Sequence, residues 1–149
     1  MQIRLDDQLA TETLAALIAD RSTLGDCLAL SGGLGAGKST FARAFLRQLA
    51  QDPQMEVPSP SFALVQPYET LKGAVHHYDL WRLDGPDALY ELAWDEACEG
   101  IMLVEWPERA GDLLPDGALH LTFAPGDSED SRLVDLTGWP EERLTGLNP

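Results

Sequence analysis

The chain has 149 residues, 44% of them hydrophobic, and its 25 acidic against 10 basic side chains give a formal charge of −15. That length predicts one domain with a substantial core and leaves no room for a separate substrate domain. So acidic a chain repels polyphosphate at long range, which argues against independent binding to DNA or RNA: a nucleotide must be held by local geometry, and a role with nucleic acid runs through a basic protein partner, unless the acidity serves only solubility.

Met1 to Asp7 lacks the basic stretch and apolar run of a signal peptide, and no apolar segment approaches membrane-spanning length. A soluble, cytoplasmic protein with no membrane partner is expected. Ile3 to Leu5 reads as a short strand, and Asp6-Asp7 as the cap of a helix whose apolar positions Leu9, Leu14, Leu17 and Ile18 recur at helical spacing. Cys27 to Leu30 is a short apolar run of buried-strand type. From Lys38 the pattern turns helical, with Phe41, Ala42, Phe45, Leu46 and Leu49 on one face until Pro53. Pro58 and Pro60 bracket an extended loop before a strand over 62–68, and Val75 to Leu80 reads as the next strand. One or two short helices are predicted over 86–98. Ile101 to Val104 is a buried strand ending at Glu105, Pro107 to Leu114 a short helix or turn, and 119–123 and 133–136 are late strands separated by the acidic turn "GDSED". Cys27 and Cys98 have no metal-ligand spacing and read as free thiols. The whole is one α/β layer structure.

The chemistry concentrates at Gly32-Gly33-Leu34-Gly35-Ala36-Gly37-Lys38-Ser39, a strand-to-helix loop of phosphate-binding type. Glycines let the backbone N–H groups turn inward, and the new helix adds its positive end at the same point. Lys38 is placed to reach the β- and γ-phosphates and the Ser39 hydroxyl to hold magnesium. Hydrolysis also needs acids, and two sit at strand ends: Asp79 in "VHHYDLWRL" and Glu105 in "GIMLVEW". Either can serve magnesium or orient water, or merely cap a strand end or pair with an arginine. Ser59-Pro60-Ser61 stands where switch segments of such enzymes lie, or is only a proline-stiffened connection. Trp106 is a core residue or a contact for a ligand or partner. His76 and His77 are read as structural, and Trp81, Trp94 and Trp139 as packing.

Together, "GGLGAGKST", "VPSPSFALVQPY", "HHYDLWRL", "LYELAWDEACEGIMLVEWPE" and "LLPD" resemble, in order and spacing from about residue 5 to 138, the TsaE family, small bacterial ATPases of tRNA threonylcarbamoyladenosine synthesis. The resemblance implies a P-loop NTPase-like fold with a mixed central sheet flanked by helices, binding of ATP and magnesium, and slow hydrolysis by the chain alone. It implies work with the TsaB–TsaD pair, which modifies the adenosine next to the anticodon, so tRNA would be met only through that complex. Carried over by position, Gly35, Ala36, Gly37, Lys38, Ser39 and Thr40 hold the phosphates, Ser39 and Glu105 resemble magnesium ligands, Asp79 resembles the acid required for hydrolysis, and Trp106 resembles the family tryptophan beside the glutamate. Thr11 and Arg132 stand where members approach the adenosine. Gly33 replaces an acid usual in the family, Ser39 and Ser61 replace threonines and keep a hydroxyl, and Trp81 replaces a tyrosine. The rival classes are a small-molecule kinase, for which no arginine cluster suggests a lid, and a nucleotide-dependent binding module without useful turnover.

Overall fold

Ile3 and Leu5 alternate with exposed neighbours and form the inward face of β1 (Gln2–Leu5). In the computed structural model, which describes residues 1–33 and 35–149, Leu34 of the glycine loop lies outside the described residues. Asp7 caps α1 (Gln8–Arg21) by accepting the Ala10 N–H at 2.9 Å. The helix turns Leu14 and Ile18 inward as the spacing predicts, with Leu17 partly buried, but Leu9 is exposed and Thr11, Ala15 and Ala19 take buried positions. The apolar run of β2 (Cys27–Ser31) leads through the glycines into α2 (Lys38–Ala50). That helix ends three residues before Pro53, because Gln51 turns left-handed (φ 55°) and donates back to the last turn.

The following strand starts later than its apolar letters suggest. Residues 62 to 64 form a turn, with Leu64 left-handed (φ 68°) and its N–H donating to Pro60 O at 2.6 Å, so β3 is Val65–Thr70. Then come β4 (Gly73–Asp79), a 3₁₀ segment at Pro86–Leu92, α3 (Trp94–Ala97), β5 (Ile101–Glu105) and a second 3₁₀ segment at Pro107–Leu113. The late strands are β6 (Leu119–Pro125) and β7 (Arg132–Thr137), and a short α4 (Glu141–Leu144), not anticipated from the sequence, closes the chain.

Among the described residues, seven strands form one mixed sheet in the order β1-β7-β6-β2-β5-β4-β3. The inner strands β6, β2, β5 and β4 run parallel, and β1, β7 and β3 pair antiparallel at the edges. Parallel strands covered on both faces need apolar residues on both. On β5, Ile101 and Leu103 join the core under α1 and α2 with Leu28, Leu30, Phe41 and Phe45, whereas Met102 and Val104 join Tyr78, Leu89 and Trp94 on the opposite face. Helices thus flank the sheet on two sides, as expected for an α/β fold. No helix among the described residues is long and apolar enough to cross a membrane. The consequence for function is positional: β2, β4 and β5 all end at one edge, where α2 begins.

Candidate functional site

The loop after β2 owes its course to backbone shapes that side chains resist. Gly32 has φ 139°, and a Cβ there would meet Phe123 O at 2.7 Å, so any other residue would push the loop off β6. Gly37 (φ 108°) lets the chain turn directly into α2, which starts at Lys38. Lys38 is 7% exposed, yet among the described residues it has no carboxylate partner. Its ammonium lies 4.6 Å from the centroid of the Trp106 ring, a contact that stabilises a cation without neutralising it. Trp106 in turn is left-handed (φ 56°) and packs on Trp81 at 4.4 Å between centroids. Trp81 is therefore more than packing: half its surface is exposed, at the lip of the site, with the Arg109 guanidinium 5.6 Å from its ring centroid.

Asp79 and Glu105 are register partners at the ends of β4 and β5, both almost buried. Each carboxylate is fixed by neutral or uncharged-capable donors. The Ser61 hydroxyl donates to Asp79 Oδ2 at 3.0 Å and the Trp81 N–H to Oδ1 at 3.1 Å, while Ser59 meets Ser61 at 2.8 Å. His77 Nε2 lies 2.8 Å from Glu105 Oε2. Neither acid has a Lys or Arg partner among the described residues. Two adjacent buried carboxylates without a cation favour the arrival of one. Their oxygens, with the Ser39 hydroxyl on the same cavity, are the hard donors that magnesium prefers. The described residues hold no cluster of three or more His, Cys, Asp or Glu of metal-binding geometry, so such an ion would draw further ligands from phosphate or water.

These groups surround one cavity of about 300 Å³, lined by Gly35, Gly37, Lys38, Ser39, Thr40, Ser59, Ser61, Asp79, Glu105, Trp106 and Arg132. A second, of about 340 Å³, shares Gly37, Thr40 and Arg132 and extends over Asp7, Gln8, Thr11 and Asp130. The two adjoining spaces suit an anion at the loop joined to a larger polar group beyond it. Of the described loop residues singled out in the sequence, Gly32, Gly33 and Ala36 line neither, and Ala36 is buried. The sequence reading missed His77, whose signal was its position two residues before Asp79, on the same face of one strand. It also missed Gln8 and Asp130, which carry no local signal.

Comparison with known proteins gives a family and a fold. The family model described as "Threonylcarbamoyl adenosine biosynthesis protein TsaE" matches residues 5–134. A tRNA threonylcarbamoyladenosine biosynthesis protein TsaE from Rickettsia prowazekii is 36% identical over 89% of this chain and 91% of its own length. One of the same description from Aquifex aeolicus is 40% identical over 72% of this chain and 77% of its own. Among solved structures, the crystal structure of Bacillus subtilis YdiB superposes with a TM-score of 0.75 at 26% identity, covering 99% of this chain and 93% of that one.

Proposed function

The chain belongs to the TsaE family of threonylcarbamoyl adenosine biosynthesis proteins, and from that premise we propose that it is a P-loop ATPase that binds ATP with magnesium, hydrolyses it slowly alone and supports the TsaB–TsaD pair in forming N6-threonylcarbamoyladenosine next to the tRNA anticodon. Its fold, a mixed sheet flanked by helices, is P-loop NTPase-like. The observation that carries the reading is a single cavity that joins Lys38 and Ser39 at the start of α2 to the paired carboxylates Asp79 and Glu105.

In this reading the backbone N–H groups of residues 35 to 39 and the positive end of α2 hold the phosphates. Lys38 leaves the Trp106 ring for the β- and γ-phosphate oxygens, exchanging a cation–π contact for a stronger charge-assisted one. Ser39 and Glu105 hold magnesium, which would neutralise phosphate charge during transfer to water. Asp79, aimed by Ser61 and the Trp81 N–H, orients the attacking water. The nucleoside lies toward Thr11 and Arg132 in the second cavity.

Ser61 also offers a route for partner control. It hydrogen-bonds Asp79 from a loop whose neighbour Phe62 is 82% exposed, so a protein pressing on Phe62 and Trp81 would shift an acid of the site. With a formal charge of −15, the chain meets tRNA only through the complex, and its work is in the cytoplasm. The test is ATP hydrolysis by the purified chain with magnesium, alone and with TsaB–TsaD. A slow rate that rises with the pair is expected. An unchanged rate would overturn partner control, and bound ATP without turnover under either condition would make the protein a binding module.

A further inference from the structure

His77 sits inside the sheet face that α1 and α2 cover. It is register partner to Leu103 and precedes the buried Asp79 by one strand repeat. Its side chain is 3% exposed and its Nε2 lies 2.8 Å from Glu105 Oε2. An ionised carboxylate only accepts, so the shared proton belongs to Nε2, and the ring in its neutral form then carries none on Nδ1. Nδ1 is buried without a hydrogen-bond partner. Packing alone does not explain that arrangement. Val75 and Leu103 fill neighbouring places on the same face with no polar atom, whereas a leucine at 77 would remove the unpaired Nδ1 only by leaving Glu105 Oε2 without its donor.

Resting on the magnesium reading above, we propose that His77 is a positioning residue for Glu105: its Nε2–H holds Oε2 and fixes the carboxylate so that Oε1, which has no partner among the described residues, is presented to the cation. A donor on a ligating carboxylate restricts its rotation before the ion arrives, so the ion is bound without first ordering its ligand. His77 lines neither cavity, so the effect falls on the metal and not on the phosphates.

The experiment is electron paramagnetic resonance titration of Mn²⁺, as a stand-in for magnesium, into ADP-bound protein, with ADP affinity measured separately in EDTA. Wild type is compared with His77→Leu, His77→Asn and His77→Gln. The glutamine amide nitrogen reaches the place of Nε2, whereas the asparagine amide ends short of it. Leu and Asn are expected to weaken Mn²⁺ binding about tenfold, to leave ADP affinity in EDTA unchanged, and Gln to restore the wild-type value. If His77→Leu fails to fold, the Asn–Gln contrast decides. Wild-type Mn²⁺ affinity in both Leu and Asn, or in Asn alone where Leu does not fold, overturns the proposal while leaving the nucleotide site standing. Absence of ADP and Mn²⁺ binding by wild type overturns both.

Discussion

The two adjoining cavities are built in different ways. The one at the loop is assembled from strand ends and a helix start, with Lys38, Asp79 and Glu105 nearly buried and each held by a short bond or ring contact. The other is assembled from three distant stretches, around residues 7–11, 37–40 and 130–132, and its arginine is bound to carbonyls of its own turn, Glu129 O at 2.7 Å and Ser131 O at 2.8 Å. Preorganised charge in a dry setting does the costly work of chemistry, whereas a looser polar surface adds affinity and selectivity. Substitutions of the groups that line only the first cavity should therefore destroy function, and those of the second, Arg132 at the junction included, should only weaken binding.

The largest effect is expected from Glu105→Gln, which keeps the shape and an acceptor for His77 but removes the charge. Turnover measured by phosphate release should fall about a thousandfold, with little change in thermal melting; normal turnover in a destabilised variant would make Glu105 structural. Next, Lys38→Ala should lower ATP affinity by calorimetry about a hundredfold, since it removes the only cationic side chain of the loop. Arg132→Ala should weaken ATP about fivefold and leave turnover at saturation intact. A loss there as large as that of Lys38→Ala would erase the distinction between the cavities.

The smallest effect lies outside both and serves as a control. Arg143 clamps Asp26 with bonds of 2.7 and 3.1 Å. Burial pushes the Asp26 carboxyl up, but hydrogen bonds from Arg143 and Thr23, with the charge of Arg143, outweigh it and hold the group below its ordinary 3.8. A lowered value means that the stabilisation is present above the ordinary value and is lost as pH falls through the lowered one. Asp26→Asn should thus cost about 1 kcal/mol of stability by urea denaturation at neutral pH, less in acid near ~pH 3, and nothing in ATP affinity.

The same contrast marks what could be read in the sequence. The loop cavity depends on local order: an apolar strand, glycines, a lysine at a helix start, and acids at strand ends, so Lys38, Ser39, Asp79 and Glu105 were legible as a set. The pairing of His77 with Glu105 was not, because it requires β4 to lie beside β5, a fact of topology and not of spacing. The late start of β3 was hidden because Phe62, Ala63 and Leu64 have strand-like letters while Leu64 adopts a left-handed turn closed onto Pro60. Thr11 and Arg132 drew notice only through family resemblance, and Asp130 through nothing, since it is the antiparallel return of β7 along β6 that brings Asp130 and Arg132 to Thr11 of α1.

The most direct test of the central claim is a crystal structure with a non-hydrolysable ATP analogue and magnesium. The account predicts β- and γ-phosphates against Lys38 and the start of α2, magnesium between Ser39 and Glu105, and the nucleoside toward Thr11 and Arg132. A nucleotide bound elsewhere, or phosphates in the loop with Lys38 still on Trp106 and no ion at Glu105, would contradict it.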